Sequence, residues 1–458
     1  ITTGGDLLSY ALAERNTGNG GPISVSAAAG LLINHGSGDI ETYARSTNGS
    51  VGDGGSVALS TAAGNITLAS INSRANNTFA NSPTGHGGDI SLATQAGRIS
   101  LSGHLFGALQ SGATGSGLIG DSGDISLTAT QGIAVAAGGV NAAAFGIDGD
   151  GGDIRLMTSG GDISLIGVVN TGAIHNSRTP GSAGSITMQT LPGNITVQDI
   201  RAVSQALLIN NDARDGGAIS LQAPNGAITT GLIESYSEAR GRVGNTGDGG
   251  PVEIMAGGSI TVGGHVETYA LASINNNNSG AAGRGGDIRL QTGGALVITD
   301  SLRTFSAATG PNGQASQAGD VTLLAGGDIE LTFIDARAPG FAGSGQGGMV
   351  EITSGQFLRA TGTMGNSVFN FPSDATISTA GQPHTSAITI IHGGAGMIPF
   401  VVGDAATNGA ANRLTTGDAK LDPLRSFLTD HFEPPNLRII TINLSPPVEA
   451  VYLPVLLR

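Results

Sequence analysis

The chain has 458 residues, including 77 glycines, a single lysine and no cysteine or tryptophan. The lack of cysteine excludes a disulfide scaffold and a cysteine-ligated metal protein, and the glycines do not follow the three-residue period of collagen. The net charge of −14 argues against nucleic acid and anionic membranes as partners, and no apolar run reaches the ~18–20 residues of a membrane helix.

A glycine followed by alternating apolar residues recurs along most of the chain. The clearest copies are Gly88–Leu92, Gly152–Leu156 and Gly286–Leu290. Eleven such glycines lie between positions 21 and 348, at intervals of 29 to 36 residues. A period of this length is typical of a solenoid, in which stacked repeats share one core.

Each repeat contains two further runs with the same alternation. Gly258–Val262 is an example of the second run, and Ile233–Ser237 is an example of the third. Alternation of apolar and polar residues is typical of strands with one buried face. The sequence therefore predicts an all-β triangular parallel β-helix of about 11–12 coils, with about 33 residues and one polar loop insertion in each. We expect the glycine to allow a sharp corner and the following Asp or Asn to bond its own turn.

The regularity changes twice towards the C-terminus. We predict regular coils in residues 1–355, terminal and less regular coils in 356–418, and a proline-rich apolar tail in 419–458. Six of the 17 prolines lie in the tail, together with the strand candidates Leu437–Ile442 and Val448–Leu457. At the other end the chain starts with Ile1 instead of Met, so we expect a processed product or a segment of a longer protein.

Four segments near the end of the repeats carry a family resemblance: Phe357–Thr363, Ala375–Gly381, Ala387–Gly394 and Pro399–Ala405. They resemble the region that closes the repeat array in large filamentous-haemagglutinin-like exoproteins of cyanobacteria. The resemblance implies a right-handed parallel β-helix, two-partner secretion across the outer membrane, and an extracellular or cell-surface location. It implies adhesion and supplies no catalytic residues.

The third run offers the best candidate surface. If Ile233 and Ser235 point into the core, Glu234 and Tyr236 point outwards. The equivalent aromatic residues of three successive coils are Tyr236, Tyr269 and Phe305, with Tyr10 and Tyr43 near the other end. Stacked rings could bind a sugar or a partner, or form a stabilising ladder covered by the inserted loops. The neighbouring charged positions predict a solvated, stabilising row of Arg201, Glu234, Glu267 and Arg303.

Other candidate sites are weaker. Asp148, Asp150 and Asp153 could hold calcium on a glycine-rich turn, or could lie in a solvated corner. Gly120–Gly123 reads Gly-Asp-Ser-Gly, as in trypsin-like proteases, but lacks the setting of a catalytic triad and is interpreted as an inter-coil loop. The histidines have no metal-ligand spacing, and His104 and His265 are expected at turns or on the surface. We predict no catalytic residue, no metal site and no cofactor apart from the calcium candidate.

Three functional hypotheses follow. The first is a non-enzymatic extracellular structural protein, a β-helical fibre or filament subunit that binds copies of itself head to tail. Tail residues would then mediate assembly: Val448, Tyr452, Leu453, Val455 and Leu456. The second is a monomeric haemagglutinin-like adhesin that binds extracellular polysaccharide or a neighbouring cell surface. The third is a polysaccharide lyase or hydrolase, although Arg155 and Arg289 lie four coils apart and the lone Lys420 lies outside the repeats.

Overall fold

The repeats form a parallel β-solenoid of about eleven turns, about 33 residues apart. The structure is a computed structural model that describes residues 2–3, 5–33, 38–79, 81–103, 107–176, 178–207, 211–240, 244–272, 280–309, 312–340, 345–365, 373–382, 386–394 and 397–442. Within these ranges the regular secondary structure is strand throughout, without a helix. The predicted all-β repeat fold is confirmed. In the same ranges, no helix has the length and apolar character needed to cross a membrane.

The strands of successive coils stack into four columns, which belong to three sheets. The first column consists of Ile23–Ala27, Val57–Thr61, Ile90–Thr94, Ile125–Ala129, Ile154–Thr158, Ile186–Thr190, Ile219–Ala223, Val252–Ala256, Ile288–Thr292, Val321–Ala325, Val350–Ser354, Ile388–His392 and Leu437–Thr441. The second column consists of Thr2–Thr3, Leu31–Ile33, Ile66–Leu68, Ile99–Leu101, Ile133–Val135, Ile163–Asn170, Ile195–Arg201, Ile228–Thr230, Ile260–Val262, Leu296–Ile298, Ile329–Leu331, Leu358–Ala360 and Gly409–Ala410.

The third column shares Ile163–Asn170 and Ile195–Arg201 with the second, and this joins the two columns into one sheet. Its other strands are Leu7–Leu8, Asp39–Glu41, Ser70–Asn72, Leu109–Gln110, Val140–Asn141, Ile233–Glu234, Val266–Glu267, Leu302–Arg303, Ile334–Asp335, Ile377–Ser378 and Leu414–Thr415. The fourth column consists of Ala11–Ala13, Ala44–Ser46, Ala75–Asn77, Ala113–Leu118, Ala144–Ile147, Ala173–His175, Ser204–Ala206, Ser237–Ala239, Ala270–Ala272 and Ser306–Ala308.

The predicted third run is therefore two short strands that meet at a bend. In one coil the strands are Leu302–Arg303 and Ser306–Ala308. The buried Thr304 lies between them and donates a hydrogen bond of 2.7 Å from its hydroxyl to the carbonyl of Gly319. This bond connects the bend to the start of the next coil, and it requires a hydroxyl side chain at the bend. Simple alternation instead predicts a continuous strand at this position.

The main core is one cluster of side chains, aliphatic apart from Phe400 and Met188, that extends from Leu31 to Ile439. Each inward side chain packs on its equivalent in the neighbouring coil, as Ile90 does between Val57 and Ile125. Burying a side chain of this size contributes about 1.5–3 kcal/mol. An isolated coil would expose both sides of this layer, so the coils stabilise one another.

The glycine doublets before the first column serve close backbone packing. A Cβ atom on Gly87 would overlap the carbonyl oxygen of Ser111, and one on Gly88 would overlap that of Gly55. Neither glycine has a positive φ. The expectation that glycine allows a sharp corner is therefore wrong here, because the need is for space between stacked backbones.

Antiparallel strand pairs appear only near the C-terminal end of the described strands. Leu437–Thr441, from the predicted tail, stacks in parallel on Ile388–His392, and its Leu437 and Ile439 are buried in the core. His431–Glu433 then pairs antiparallel with Leu437–Thr441. Two more antiparallel pairs join Phe400–Val402 to Arg425–Phe427 and Leu414–Thr415 to Lys420–Leu421. The proposed assembly residues Val448, Tyr452, Leu453, Val455 and Leu456 lie outside the described residues.

Candidate functional site

Three aromatic rings stack at the bend between the third and fourth columns. The centroids of Tyr236 and Tyr269 are 4.5 Å apart, and those of Tyr269 and Phe305 are 4.6 Å apart. The planes of each pair are within 7° of parallel. The register predicted from the sequence is thus observed, because parallel strands place equivalent residues one above another.

The three rings are buried. Tyr236 is 8% exposed, Tyr269 7% and Phe305 2%, and they pack with Val203 and Leu271 in a cluster separate from the main core. Burial raises the pKa of both tyrosines well above the usual value. Of the two readings of this stack, the covered stabilising ladder agrees with the burial. A sugar would need an exposed ring face, as Tyr10 offers at the other end with 44% exposure.

The predicted charged row is present in the third column. Arg201 Nε lies 2.8 Å from Glu234 Oε2, and Arg303 Nη1 lies 2.6 Å from Glu267 Oε1. The middle of the row is not solvated as expected, since Glu267 is buried and the side chain of Glu234 is only 14% exposed, whereas Arg201 at its end is exposed. Burial raises the pKa of Glu267, and the charges of His265 and Arg303 oppose that shift. An ion pair in such a setting is sensitive to the loss of either partner.

His265 lies between the two glutamates, where sequence reasoning did not place it. Its Nε2 atom is 3.5 Å from Glu234 Oε1 and 3.8 Å from Glu267 Oε2, and its Nδ1 atom is 3.9 Å from Asp300 Oδ2. Interaction with the carboxylate of Glu234 raises the pKa of His265, whereas burial lowers it. The signal that could have revealed this was the position of His265 one residue before the strand Val266–Glu267.

Two further ion pairs, each with a buried carboxylate, lie near the stack. Arg240 binds Glu238 through two hydrogen bonds of 2.7 and 2.9 Å, and Arg337 binds Asp335 through two bonds of 2.8 Å. Arg303 pairs with Asp335 in the third column, so the residue of the next coil that is equivalent to Phe305 is Arg337. An arginine therefore follows the three stacked rings. This face of the solenoid therefore contains a concentration of buried charge that is neutralised within the chain.

Two of the three calcium candidates, Asp150 and Asp153, are braces between coils. Asp150 Oδ1 accepts a hydrogen bond of 2.7 Å from the backbone N–H of Ser182, and Asp153 Oδ1 accepts one of 2.7 Å from that of Ser185. Asp148 lies 3.9 Å from Arg214. Across the described residues, the only group of three or more possible metal ligands that converges is Glu234, His265 and Glu267, so the structure does not bring the three aspartates together.

The residues that resemble enzyme motifs form contacts within the solenoid or lie too far apart to act together. Asp121 accepts a hydrogen bond of 3.0 Å from the backbone N–H of Asp150, and Ser122 is buried and accepts one from Ala113. Arg155 and Arg289 lie on the outer face of the first column, four strand pairings apart. At ~4.8 Å per pairing, about 19 Å separates them along the stack, too far to act on one bond. Lys420 pairs with Asp422 at 3.1 Å.

No protein-family model matches the chain, and no curated protein or solved structure matches it either.

Proposed function

We propose that the chain is a non-enzymatic structural rod, a subunit of an extracellular surface fibre that assembles head to tail. The observation that carries the proposal is the continuous first column, in which thirteen parallel strands from Ile23–Ala27 to Leu437–Thr441 stack without interruption. At ~4.8 Å between strands, such a stack is about 60 Å long. Because most of the described strands belong to one linear stack, the architecture is that of a rod. A rod is better suited to span a distance than to enclose a substrate.

The corners between the columns support a mechanical role. Side chains at equivalent positions accept hydrogen bonds from the backbone of the next coil, as Asp53 does from His86 and Asp121 does from Asp150. A second line runs from Asp89 to Asp124 and from Asp124 to Asp153. Such bonds act along the rod axis in addition to the strand pairing, so they oppose separation of the coils.

The two described ends of the rod differ. At one end, Leu7, Ile23 and Val25 point to the core but are only partly buried. At the other, antiparallel pairs such as His431–Glu433 with Leu437–Thr441 cover the last coil. Reversed strands of this kind limit edge-to-edge growth. Assembly would therefore depend on the tail residues after Ile442, and their contact with a different surface of the next copy is the geometry of a head-to-tail filament.

Export and the surface location are also proposals. They depend on the resemblance of the closing segments, such as Ala387–Gly394, to haemagglutinin-like exoproteins. The adhesin hypothesis depended on ring faces that a sugar could reach, and burial of Tyr236, Tyr269 and Phe305 removes that support. The cleavage hypothesis depended on carboxylates clustered with a basic residue, and Arg155 and Arg289 are too far apart to serve one site.

Electron microscopy of the purified full chain over a range of concentrations tests the proposal. We expect filaments with an axial repeat of about 60 Å, at concentrations where a variant truncated after Ile442 remains as single rods. Circular dichroism of the truncated variant should still report β-structure, since its last described strand, Leu437–Thr441, is retained. Single rods of the full chain at every concentration would refute head-to-tail assembly.

A further inference from the structure

Three side chains from two successive coils direct one ligand atom each to a common point. Nε2 of His265 lies 3.5 Å from Oε1 of Glu234 and 3.8 Å from Oε2 of Glu267, and the three residues have ligand atoms that all lie within 4.8 Å of one another. Glu234 and Glu267 occupy paired positions on adjacent strands of the third column. The cluster therefore bridges two coils of the solenoid.

The two carboxylates are oriented by arginines on their far sides. Glu234 uses Oε2 to bind Arg201 at 2.8 Å, and Glu267 uses Oε1 to bind Arg303 at 2.6 Å. Each glutamate thus has one oxygen committed to an arginine and the other directed towards His265. Partners behind a ligand that fix its orientation are a general property of metal sites in proteins.

His265 likewise directs one ring nitrogen towards the common point and the other towards a charged residue outside the cluster. Its Nε2 atom is buried and makes no hydrogen bond. The distances from Nε2 to the two carboxylate oxygens, 3.5 and 3.8 Å, exceed the ~2.7–2.9 Å of a charge-assisted hydrogen bond. Two ligand atoms that each lie ~2.1 Å from one tetrahedral ion are about 3.4 Å apart. On the other side of the ring, Nδ1 lies 3.9 Å from the carboxylate of Asp300, which is longer than a hydrogen bond but on the side where metal-binding histidines have a carboxylate partner.

We propose that Glu234, His265 and Glu267 bind a divalent transition metal ion, for which Zn²⁺ is the best match, and that the ion links two coils. One imidazole and two carboxylates suit zinc and its neighbours, whereas calcium takes oxygen ligands. The partial exposure of His265 and Glu234, 23% and 14% of their side chains, leaves room for water as a fourth ligand. Arg201 and Arg303 balance the two glutamates, and Asp300 offsets part of the added charge.

Metal-free full-length protein should be titrated with Co²⁺, followed by its visible absorption, and with Zn²⁺ in competition. We expect one Co²⁺ per chain, with the strong absorption of a tetrahedral site, and displacement by one Zn²⁺. His265→Ala should weaken binding at least 100-fold. Asp300→Asn, which changes a positioning residue, should weaken it about 10–100-fold.

His86→Ala is the matched control, because His86 is an exposed histidine beside an acidic residue, Asp121, elsewhere on the solenoid. This variant should bind Co²⁺ as the parent does. Binding that His265→Ala leaves unchanged, or a parent protein that takes up no stoichiometric metal, would overturn the proposal. Glu267→Gln should also weaken Co²⁺ binding, and if this variant fails to fold by circular dichroism, the His265→Ala result decides. Because Glu234, His265 and Glu267 all belong to one chain, the outcome of the titration is independent of whether filaments form.

Discussion

Asp153 and Ser185 are 32 residues apart in the chain, yet the carboxylate of Asp153 accepts hydrogen bonds from both the backbone N–H and the hydroxyl of Ser185, at 2.7 and 2.9 Å. The backbone N–H of Asp153 in turn donates to Asp124, one coil earlier, at 2.8 Å. The acidic residue of the repeated glycine motif is therefore a brace between coils. It satisfies a backbone donor at a corner where strand pairing has stopped.

Removal of this acceptor should weaken the contact between two coils. We expect Asp153→Ala to lower the free energy of unfolding by about 1–2 kcal/mol, because the N–H of Ser185 loses its partner. Asp153→Asn keeps the accepting oxygen and should cost less. Urea unfolding followed by circular dichroism compares the two, and equal losses would show that charge, and not the accepted bond, matters.

The glycine doublets should tolerate no side chain. Gly87→Ala places a Cβ atom against the Ser111 carbonyl oxygen, and we expect a loss of about 3 kcal/mol or more, the upper part of the range for overpacking. Gly18→Ala is the control, since its Cβ would meet no atom within 4 Å. Thermal unfolding of both variants checks the prediction, which fails if they melt at similar temperatures.

The buried aromatic stack should contribute strongly to stability. Tyr269→Ala removes the central ring and should cost about 3–5 kcal/mol, the range for deleting a large buried aromatic side chain. Tyr269→Phe keeps both stacking contacts and should cost less than about 1.5 kcal/mol. A small effect of Tyr269→Ala in urea unfolding would mean that the stack is dispensable and would reopen the question of a binding role.

Stability should fall at mildly acidic pH because of His392. This residue is fully buried in the last coil that precedes the reversed strands, and its Nδ1 lies 3.0 Å from the amide nitrogen of Asn408. Burial lowers the pKa of His392, and the charge of Asp430 only partly opposes this shift. The folded state therefore favours the neutral ring, and its contribution is present above the unfolded pKa of ~6.5 and lost as the pH falls below it.

Urea unfolding at pH 7.5 and pH 5.0 tests this dependence. The parent protein should lose more stability between the two values than His392→Gln, which cannot gain a proton. Identical losses in the two proteins would assign the acid sensitivity to other groups.

The regular spacing of the glycine motif was sufficient to predict the solenoid. Parallel strands stack in one register, so the same apolar core positions recur in every repeat of the sequence. The spacing also placed Tyr236, Tyr269 and Phe305 in one column, and Arg201, Glu234, Glu267 and Arg303 in another. Both columns are present as predicted. The register of a parallel stack follows directly from the spacing of equivalent residues.

Burial on the outer face could not be predicted in the same way. Alternation distinguishes inward from outward positions, but Tyr269 and Leu271 point away from the main core and are buried nevertheless. The bend at Thr304 splits a run that alternation shows as continuous. His265 joins the glutamates because of where the chain enters the third column, and a single histidine in one coil leaves no periodic signal.

The strand pairing described above also determines how the rod responds to force. Hydrogen bonds between parallel coils point along the rod axis. An axial pull therefore acts on all the bonds between two adjacent coils at once, and every such interface along the rod bears the same force. The weakest interface then yields first. Each coil that unravels releases about 33 residues, or about 110 Å of extended chain at ~3.4 Å per residue. A fibre built from such rods would absorb tension in discrete steps of that length instead of breaking at once.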